Sequence, residues 1–227
     1  MRASIIVPAY KPHELLRDCL RAIVLNTTLS DVEVIVVCNG SPPESADFVL
    51  SLGPSFRLVW YEEPLGFTRA ANIGFGMASA DIVVTLNSDA HLLYHHRDGW
   101  LDRLAAPFDD PKVGITGLGM MWLERYGDFL PFYCVAIKRK LFDELGLLDM
   151  AFSPGYGEDT DFCIRAVRAG YKLVQVDKVT PDHVNKINIS DFPIYHRGEG
   201  SFTDKEARAK YLENTYQVLE RKWGKYT

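Results

Sequence analysis

The sequence predicts an α/β fold in which a mostly parallel, Rossmann-like central sheet is flanked by helices. β-rich apolar runs alternate with helical stretches four times within about ninety residues, as in successive β-α units. The run Val32–Val37 is continuously apolar, which is typical of a parallel strand buried on both faces. Polar turns follow two of these strands, at Cys38-Asn39-Gly40 and Asn87-Ser88-Asp89. Such turns lie at the carboxyl ends of strands, where these sheets bind ligands.

The elements of the first half follow from periodicity and from turn residues. The first strand is a short β-rich run that we expect to end at Pro8, and apolar residues at helical spacing follow it. Pro42-Pro43 precedes the second helix, and the third is predicted despite two glycines. The predicted order is strand Ser4–Val7, a helix over 15–24, strand Val32–Val37, helix Glu44–Leu52, strand Arg57–Tyr61, helix Phe67–Ala78 and strand Asp81–Leu86.

The second half is less regular. It reads as helix Trp100–Ala106, a glycine-broken strand Lys112–Met120, strand Phe132–Lys138, helix Arg139–Leu145, a helix that starts in an acidic run and ends at Gly170, strand Tyr171–Val176 and helix Thr203–Lys222. The last helix carries an apolar stripe of Leu212, Tyr216, Leu219 and Trp223. This stripe predicts packing on the domain, with contact to a membrane surface or a partner as the alternative.

Composition restricts the class of protein. The 227 residues are 47% hydrophobic and 24% charged, as in soluble globular proteins. No run approaches the ~20 apolar residues of a membrane span, and the run after Ser4 is too short for a secretory signal. A net charge of −5 without a long basic run argues against nucleic acid as the main partner. Four scattered cysteines predict reduced thiols in a cytoplasmic protein.

The most informative stretch begins at Gly157. Glu158, Asp159 and Asp161 place three carboxylates within four residues at a helix start, and Ala169-Gly170-Tyr171 closes the helix. Acids are favoured at a helix N-terminus, but capping requires only one. Packed carboxylates raise one another's pKa, which suits a general base.

This pattern, Glu-Asp-x-Asp-x-x-x-Arg-x-x-x-x-Gly-Tyr over residues 158–171, resembles the C-terminal signature of inverting family 2 glycosyltransferases with the GT-A fold. The resemblance implies that Asp159 is the catalytic base that deprotonates the acceptor hydroxyl. Glu158 and Asp161 are then expected to tune or orient it. Asp161 has an alternative role, because Arg165 lies four residues on along the same helix face.

Asn87-Ser88-Asp89 matches the family's metal motif, which is usually Asp-x-Asp and often begins with Asn. The resemblance implies a Mn²⁺ or Mg²⁺ cofactor with Asp89 as direct ligand, since hard cations prefer oxygen ligands. Asn87 is expected to touch the ribose or to hold a metal-bound water, and Ser88 to lie beside the donor nucleotide. Ordinary turn chemistry is the alternative for these three residues.

Two histidines compete as a further metal ligand. Certain metal-dependent members place a histidine 24 residues after the base, and that position here is His183. His196 is the rival, in the segment Tyr195–Phe202, which resembles a family loop that closes over the donor diphosphate. We expect His91, His95 and His96 to face solvent or acceptor.

The donor nucleotide is expected at the ends of the first strands. Pro8-Ala9-Tyr10 resembles the turn whose backbone cradles the nucleobase. In Cys38-Asn39-Gly40-Ser41, Asn39 matches the position that faces the base edge, and Cys38 stands where the family carries Asp. Gly66–Gly74 resembles the family's Gly-x-x-x-Ala-x-Asn-x-Gly helix, in which Arg69 approaches the diphosphate and Asn72 braces the base pocket. A plain strand-turn remains the alternative at Asn39-Gly40.

The resemblance therefore implies a single GT-A domain over 1–227, with a nucleotide-binding half (1–90), an acceptor and catalytic half (91–202) and a C-terminal helix (203–227). The expected activity is metal-dependent, inverting transfer of a sugar from a nucleoside-diphosphate sugar, with UDP or dTDP as nucleotide, to a carbohydrate or lipid-linked glycan. The region Gly117–Tyr133 would stack the acceptor sugar or belong to the core. The alternatives are a nucleotidyltransferase, which normally needs a Gly-rich loop that is missing after the first strand, and a non-catalytic nucleotide-sugar-binding module.

Overall fold

The structure, a computed structural model, describes residues 1–182, 187–198 and 205–224. These residues form thirteen strands: β1 (Ala3–Ala9), β2 (Val32–Asn39), β3 (Phe56–Tyr61), β4 (Ile82–Leu86), β5 (Ala90–Leu92), β6 (Val113–Gly117), β7 (Met121–Leu123), β8 (Gly127–Phe129), β9 (Cys134–Lys138), β10 (Lys172–Gln175), β11 (Val179–Asp182), β12 (Ile187–Ser190) and β13 (Ile194–His196). They also form seven α-helices: α1 (His13–Asn26), α2 (Pro43–Ser51), α3 (Phe67–Met77), α4 (Gly99–Ala105), α5 (Lys140–Leu145), α6 (Glu158–Arg168) and α7 (Lys205–Trp223).

A seven-stranded mixed sheet forms the centre of the molecule, in the order β10-β6-β9-β4-β1-β2-β3. Neighbouring strands are parallel except β9, which runs antiparallel to both β4 and β6. The predicted α/β class with a mostly parallel sheet is confirmed. Because β1–β4 come from the first half and β6, β9 and β10 from the second, both predicted halves build one sheet.

Side chains of each strand alternate between two apolar layers, since successive residues of a strand point to opposite faces. Ile5 and Val7 pack with α1, α2 and α4 on one face, and Ile6 packs with α3, α5 and α6 on the other. Helix α3 approaches the sheet closely at Gly74, where an added Cβ would lie 2.2 Å from the Ile6 side chain.

Helix α7 forms a third apolar cluster outside α6. Its Val218 and Leu219 are buried against Phe152 and Ile164. This confirms the predicted packing on the domain, although Tyr216 of the predicted stripe is 54% exposed. No helix within the described ranges is long and apolar enough to cross a membrane.

Several boundaries and short strands differ from the predictions. Strand β1 continues through Pro8 to Ala9, because its pairing with β4 ends at Ile6 and the missing N–H of Pro8 breaks no bond there. The predicted strand Lys112–Met120 ends at Gly117 as β6, and the β7–β8 hairpin follows it. The antiparallel pairs β5–β13 and β11–β12 were also not predicted.

Candidate active site

The acidic run forms the first turn of α6. The helix begins after Gly157, whose φ of 93° lies in the left-handed region that favours glycine. Asp159 is half-buried, and its Oδ1 accepts hydrogen bonds from the backbone N–H and the hydroxyl of Thr160, at 2.7 and 3.3 Å. The backbone of Phe132, two residues before β9, also bonds this carboxylate. Asp159 is thus held between its own helix and the central sheet.

The environment makes the carboxyls of Glu158 and Asp159 weaker acids than usual. Burial raises the pKa of Asp159, and hydrogen bonds from Thr160 and Phe132 oppose that rise only in part. Burial and the charge of Asp159 raise the pKa of Glu158 well above its ordinary value. Glu158 Oε2 is buried without a hydrogen-bond partner among the described residues. A carboxylate with a raised pKa is a better proton acceptor, which suits a general base at Asp159.

Asp161 serves a different purpose in the structure. Its fully buried carboxylate accepts from Arg165 Nε at 2.9 Å, as the spacing on the helix suggested, and from Trp223 Nε1 at 3.0 Å. Lys222 Nζ lies 2.8 Å from the same carboxylate. Both oxygens are therefore engaged with α6 and α7 and not with Asp159.

Asn87-Ser88-Asp89 forms a tight turn after β4. The Asn87 N–H donates to Tyr133 O at 2.9 Å, and the Ala90 N–H donates back to Asn87 O at 2.9 Å. Ser88 and Asp89 are buried. The side-chain oxygen Oδ1 of Asn87 is also buried and has no hydrogen-bond partner within the described part of the chain.

His196 lies beside this turn because β13 pairs with β5. The pairing sets His196 opposite Ala90, and the Arg197 N–H donates to Asp89 O at 3.0 Å. Nε2 of His196 lies 3.3 Å from Oδ1 of Asp89. The imidazole stacks on the Tyr133 ring, with centroids 4.2 Å apart and planes within 2°.

These donors fit a divalent cation that takes its other ligands from a diphosphate and water. A carboxylate oxygen and an imidazole nitrogen converge, and the unpartnered Oδ1 of Asn87 lies on the same turn. In the part of the chain that is described, no group of three His, Cys, Asp or Glu side chains forms a ready cation site. His183 lies outside the described residues.

Phe132 and Tyr133 connect α6 with the turn Asn87-Ser88-Asp89. Phe132 bonds Asp159, whereas the carbonyl of Tyr133 accepts from Asn87 and its ring stacks on His196. Both residues belong to the region Gly117–Tyr133, which was expected to stack the acceptor sugar or to belong to the core, and their contacts with Asp159, Asn87 and His196 were not predicted. They are also the first two residues of the predicted strand Phe132–Lys138, which gives no local signal for these contacts.

The first strand ends surround a shallow depression of about 370 Å³, lined among others by Lys11, His13 and Ser41. Pro8 and Ala9 lie buried in β1, and Tyr10 is half-buried beyond its end. Asn39 is buried, donating to Ala9 O at 2.8 Å and accepting from Leu65 N at 3.1 Å. Asn39 thus connects the end of β1 with the segment around Leu65, and its expected role facing the base edge stays a prediction.

Arg69 and Asn72 lie on α3 with different surroundings. Arg69 is exposed and forms no ion pair within the described ranges. The amide of Asn72 donates to Leu148 O at 2.8 Å and accepts from Leu148 N at 2.9 Å. Asn72 therefore braces the segment that leads into α6, and its expected role beside the base pocket stays a prediction.

Comparison with known proteins assigns the chain to a family. Residues 4–146 match the model described as glycosyl transferase family 2. The chain belongs to this family. Two curated relatives of this family 2 glycosyltransferase domain are each 27% identical to it: the O-antigen biosynthesis protein RfbC of Myxococcus xanthus over 125 residues, and the pre-mycofactocin glycosyltransferase of Mycobacterium tuberculosis over 179 residues. The alignments cover 54% and 66% of this chain, and the chain spans 10% of RfbC and 37% of the second relative.

Solved structures show the same fold. A mannosyltransferase of Pyrobaculum calidifontis, solved with GDP-Man and Mn²⁺, superposes with a TM-score of 0.68 at 23% identity, covering 97% of this chain and 64% of that one. GalNAc-T7, solved with UDP, GalNAc and Mn²⁺, gives a TM-score of 0.72 at 15% identity, covering 99% and 49%. The family 2 domain described here thus has the GT-A architecture that its sequence predicted.

Proposed function

We propose that this domain transfers a sugar from a nucleoside-diphosphate sugar to a hydroxyl of a glycan or lipid-linked glycan, with inversion at the anomeric carbon. The observation that carries the proposal is the connection of Asp159, through Phe132 and Tyr133, to the pair Asp89 and His196. A proton acceptor and a candidate cation site are thereby fixed to the same end of the sheet. Two fixed groups of this kind are what a direct displacement requires.

The chemical step needs one base and one leaving group. Asp159 takes the proton of the acceptor hydroxyl as its oxygen forms a bond to the anomeric carbon. The bond from that carbon to the diphosphate oxygen breaks, and the nucleoside diphosphate leaves with the electron pair. Attack opposite the leaving group inverts the configuration. The raised pKa of Asp159 supports its role as the base.

Asp89 and His196 would hold Mn²⁺ or Mg²⁺, which when bound offsets the negative charge of the diphosphate. Asn87 would contact this assembly through its unpartnered Oδ1. Ser88, on the same turn, is proposed to lie beside the donor nucleotide. The exposed Arg69 is proposed to approach the diphosphate, and Glu158 to tune or orient Asp159 as its neighbour in the first turn of α6.

UDP or dTDP remains the proposed nucleotide, bound over the depression beside Pro8, Ala9 and Tyr10. The family match favours this activity over nucleotidyl transfer. Four free, buried cysteines suit a reducing compartment, so we place the reaction in the cytoplasm, with peripheral membrane contact where the acceptor is lipid-linked.

A donor panel tests the proposal. UDP-, dTDP- and GDP-sugars are incubated with and without Mn²⁺, and release of nucleoside diphosphate is measured with simple glycan acceptors. The proposal predicts Mn²⁺-dependent release from one class of donor. Nucleotide binding without release from any donor would instead support a non-catalytic binding module.

A further inference from the structure

Helix α7 contacts α6 at a cluster of charged side chains around the buried Asp161. The Asp161 carboxylate is fully buried and receives Arg165 from its own helix and both Lys222 and Trp223 from the end of α7, at 2.8–3.0 Å. The guanidinium of Arg168 also lies over the Trp223 ring, 4.4 Å from its centroid. Asp161, Arg165 and Arg168 follow one another at i, i+4 and i+7, so they form one face of α6 that α7 covers.

This covered face lies opposite the face that carries Asp159. Residues two apart on an α-helix point about 200° apart, given 3.6 residues per turn. In agreement, Asp161 contacts α7 on the outside, whereas Asp159 bonds Phe132 on the side of the sheet. Any rotation of α6 about its axis that moves Asp161 away from Trp223 also turns Asp159 away from Phe132.

A second contact fixes the start of the same helix. The Thr215 hydroxyl on α7 donates to Tyr156 O at 2.6 Å. A Cβ on Gly157 would lie 2.4 Å from the Thr215 methyl group, so the two backbones approach as closely as glycine allows. Helix α7 therefore contacts α6 on both sides of Asp159 in sequence, at Gly157 and at Asp161.

The segment before α6 is held by the same groups. Lys222 Nζ also bonds Asp149 at 2.6 Å, and the guanidinium of Arg165 donates to Leu145 O and Leu147 O at 2.7 and 2.9 Å. Because one buried carboxylate joins these contacts, loss of either α7 donor leaves a buried charge with fewer partners, which is costly. The cluster around Asp161 thus holds both α6 and the segment before it in place.

We propose that Trp223 and Lys222 are positioning residues for the reaction: through Asp161 they set the rotation of α6 and so aim Asp159 at the acceptor hydroxyl. This inference rests on the proposed role of Asp159 as base. Residues at the end of α7 would then control the rate of transfer without touching either substrate.

The kinetic test uses Trp223→Phe, which keeps an aromatic ring but removes the indole N–H, and Lys222→Met, which removes the charge. With the donor identified by the panel, kcat is expected to fall by about ten- to a hundredfold while the donor KM stays unchanged. Lys222→Arg should recover most of the rate. Gln217→Ala, an exposed position on α7, is the matched control and should behave as wild type.

A readout that needs no substrate separates this inference from the proposed function. Hydrogen exchange of the amides of residues 158–163 is expected to speed up in Trp223→Phe and Lys222→Met, whereas exchange in α3 stays unchanged. If the wild type turns over no donor, the proposed function is wrong. Faster exchange in Trp223→Phe and Lys222→Met would in that case still show that α7 holds α6 in place. Unchanged exchange in both variants, or rate losses that only follow the folded fraction, would overturn the inference.

Discussion

Oδ1 of Asp89 lies 3.3 Å from Nε2 of His196, and the imidazole is stacked flat on Tyr133. The two atoms come from segments more than a hundred residues apart, brought together by the β5–β13 pairing. Carboxylate and imidazole are both acceptable ligands of Mn²⁺, and the stacked ring fixes the direction of the nitrogen. The pair is the structural basis for the cation site proposed above.

His196→Ala is predicted to weaken Mn²⁺-dependent nucleotide binding at least about tenfold, because the cation loses one of its protein ligands. Titration calorimetry with Mn²⁺ and UDP, repeated with GDP, measures the affinity. His96→Ala, an exposed histidine of a nearby loop, serves as the control and should leave it unchanged. Equal affinities for His196→Ala and wild type would remove His196 from the site.

Arg69→Ala and Asn72→Ala are predicted to have opposite effects. Arg69 is exposed, so its loss should weaken nucleotide binding and leave the thermal midpoint unchanged. Asn72→Ala leaves the backbone N–H and C=O of Leu148 without their partner, which should cost roughly 1–3 kcal/mol of stability. Its nucleotide affinity should remain near that of wild type if bracing Leu148 is its only role. Calorimetry and thermal unfolding on the same samples measure both quantities, and a stable Asn72→Ala protein with lost affinity would assign Asn72 to the base pocket.

Glu158→Gln is predicted to stabilise the protein at neutral and alkaline pH. Burial and the charge of Asp159 raise the pKa of Glu158 in the folded state. The contribution of Glu158 to the free energy of unfolding is therefore fully present below its ordinary pKa of 4.5, and it is lost as pH rises through the raised pKa. Glutamine removes this loss because it does not ionise. Chemical denaturation at several pH values should show a higher free energy of unfolding for Glu158→Gln than for wild type at pH 8, and this difference should shrink towards pH 4.5. A gain that is independent of pH would contradict the predicted linkage.

The sequence predicted the parts of the fold that local patterns encode. The strands β1–β4 and the helices between them have long apolar runs or helical periodicity, and their positions agree with the structure within a few residues. The three-residue strands β5, β7, β8 and β13 carry no such period. They form because distant segments pair, so a single sequence does not reveal them.

The candidate site was also predicted only where a local motif encodes it. Asp159 and Asp89 could be proposed from the sequence because each lies in a short motif that contains its own signal. The stacking of Tyr133 on His196 and the bonds of Trp223 to Asp161 join residues 62 or more apart in sequence, and no local pattern predicts them. The bonds of Asn39 to Ala9 and of Asn72 to Leu148 were not predicted, because a motif gives a position, whereas the hydrogen bonds of an amide depend on the backbone that folds around it.

The most direct test of the account compares Asp159→Asn with wild type, using the donor from the panel and Asp47→Asn, an exposed acid on α2, as control. Release of nucleoside diphosphate, nucleotide affinity and thermal midpoint are measured on each protein. Asp159→Asn is predicted to lose at least about a hundredfold in release while nucleotide affinity is kept, because asparagine accepts no proton. Wild-type turnover should fall as the pH is lowered through the raised pKa of Asp159. A folded Asp159→Asn protein that turns over its donor at the wild-type rate would contradict the account.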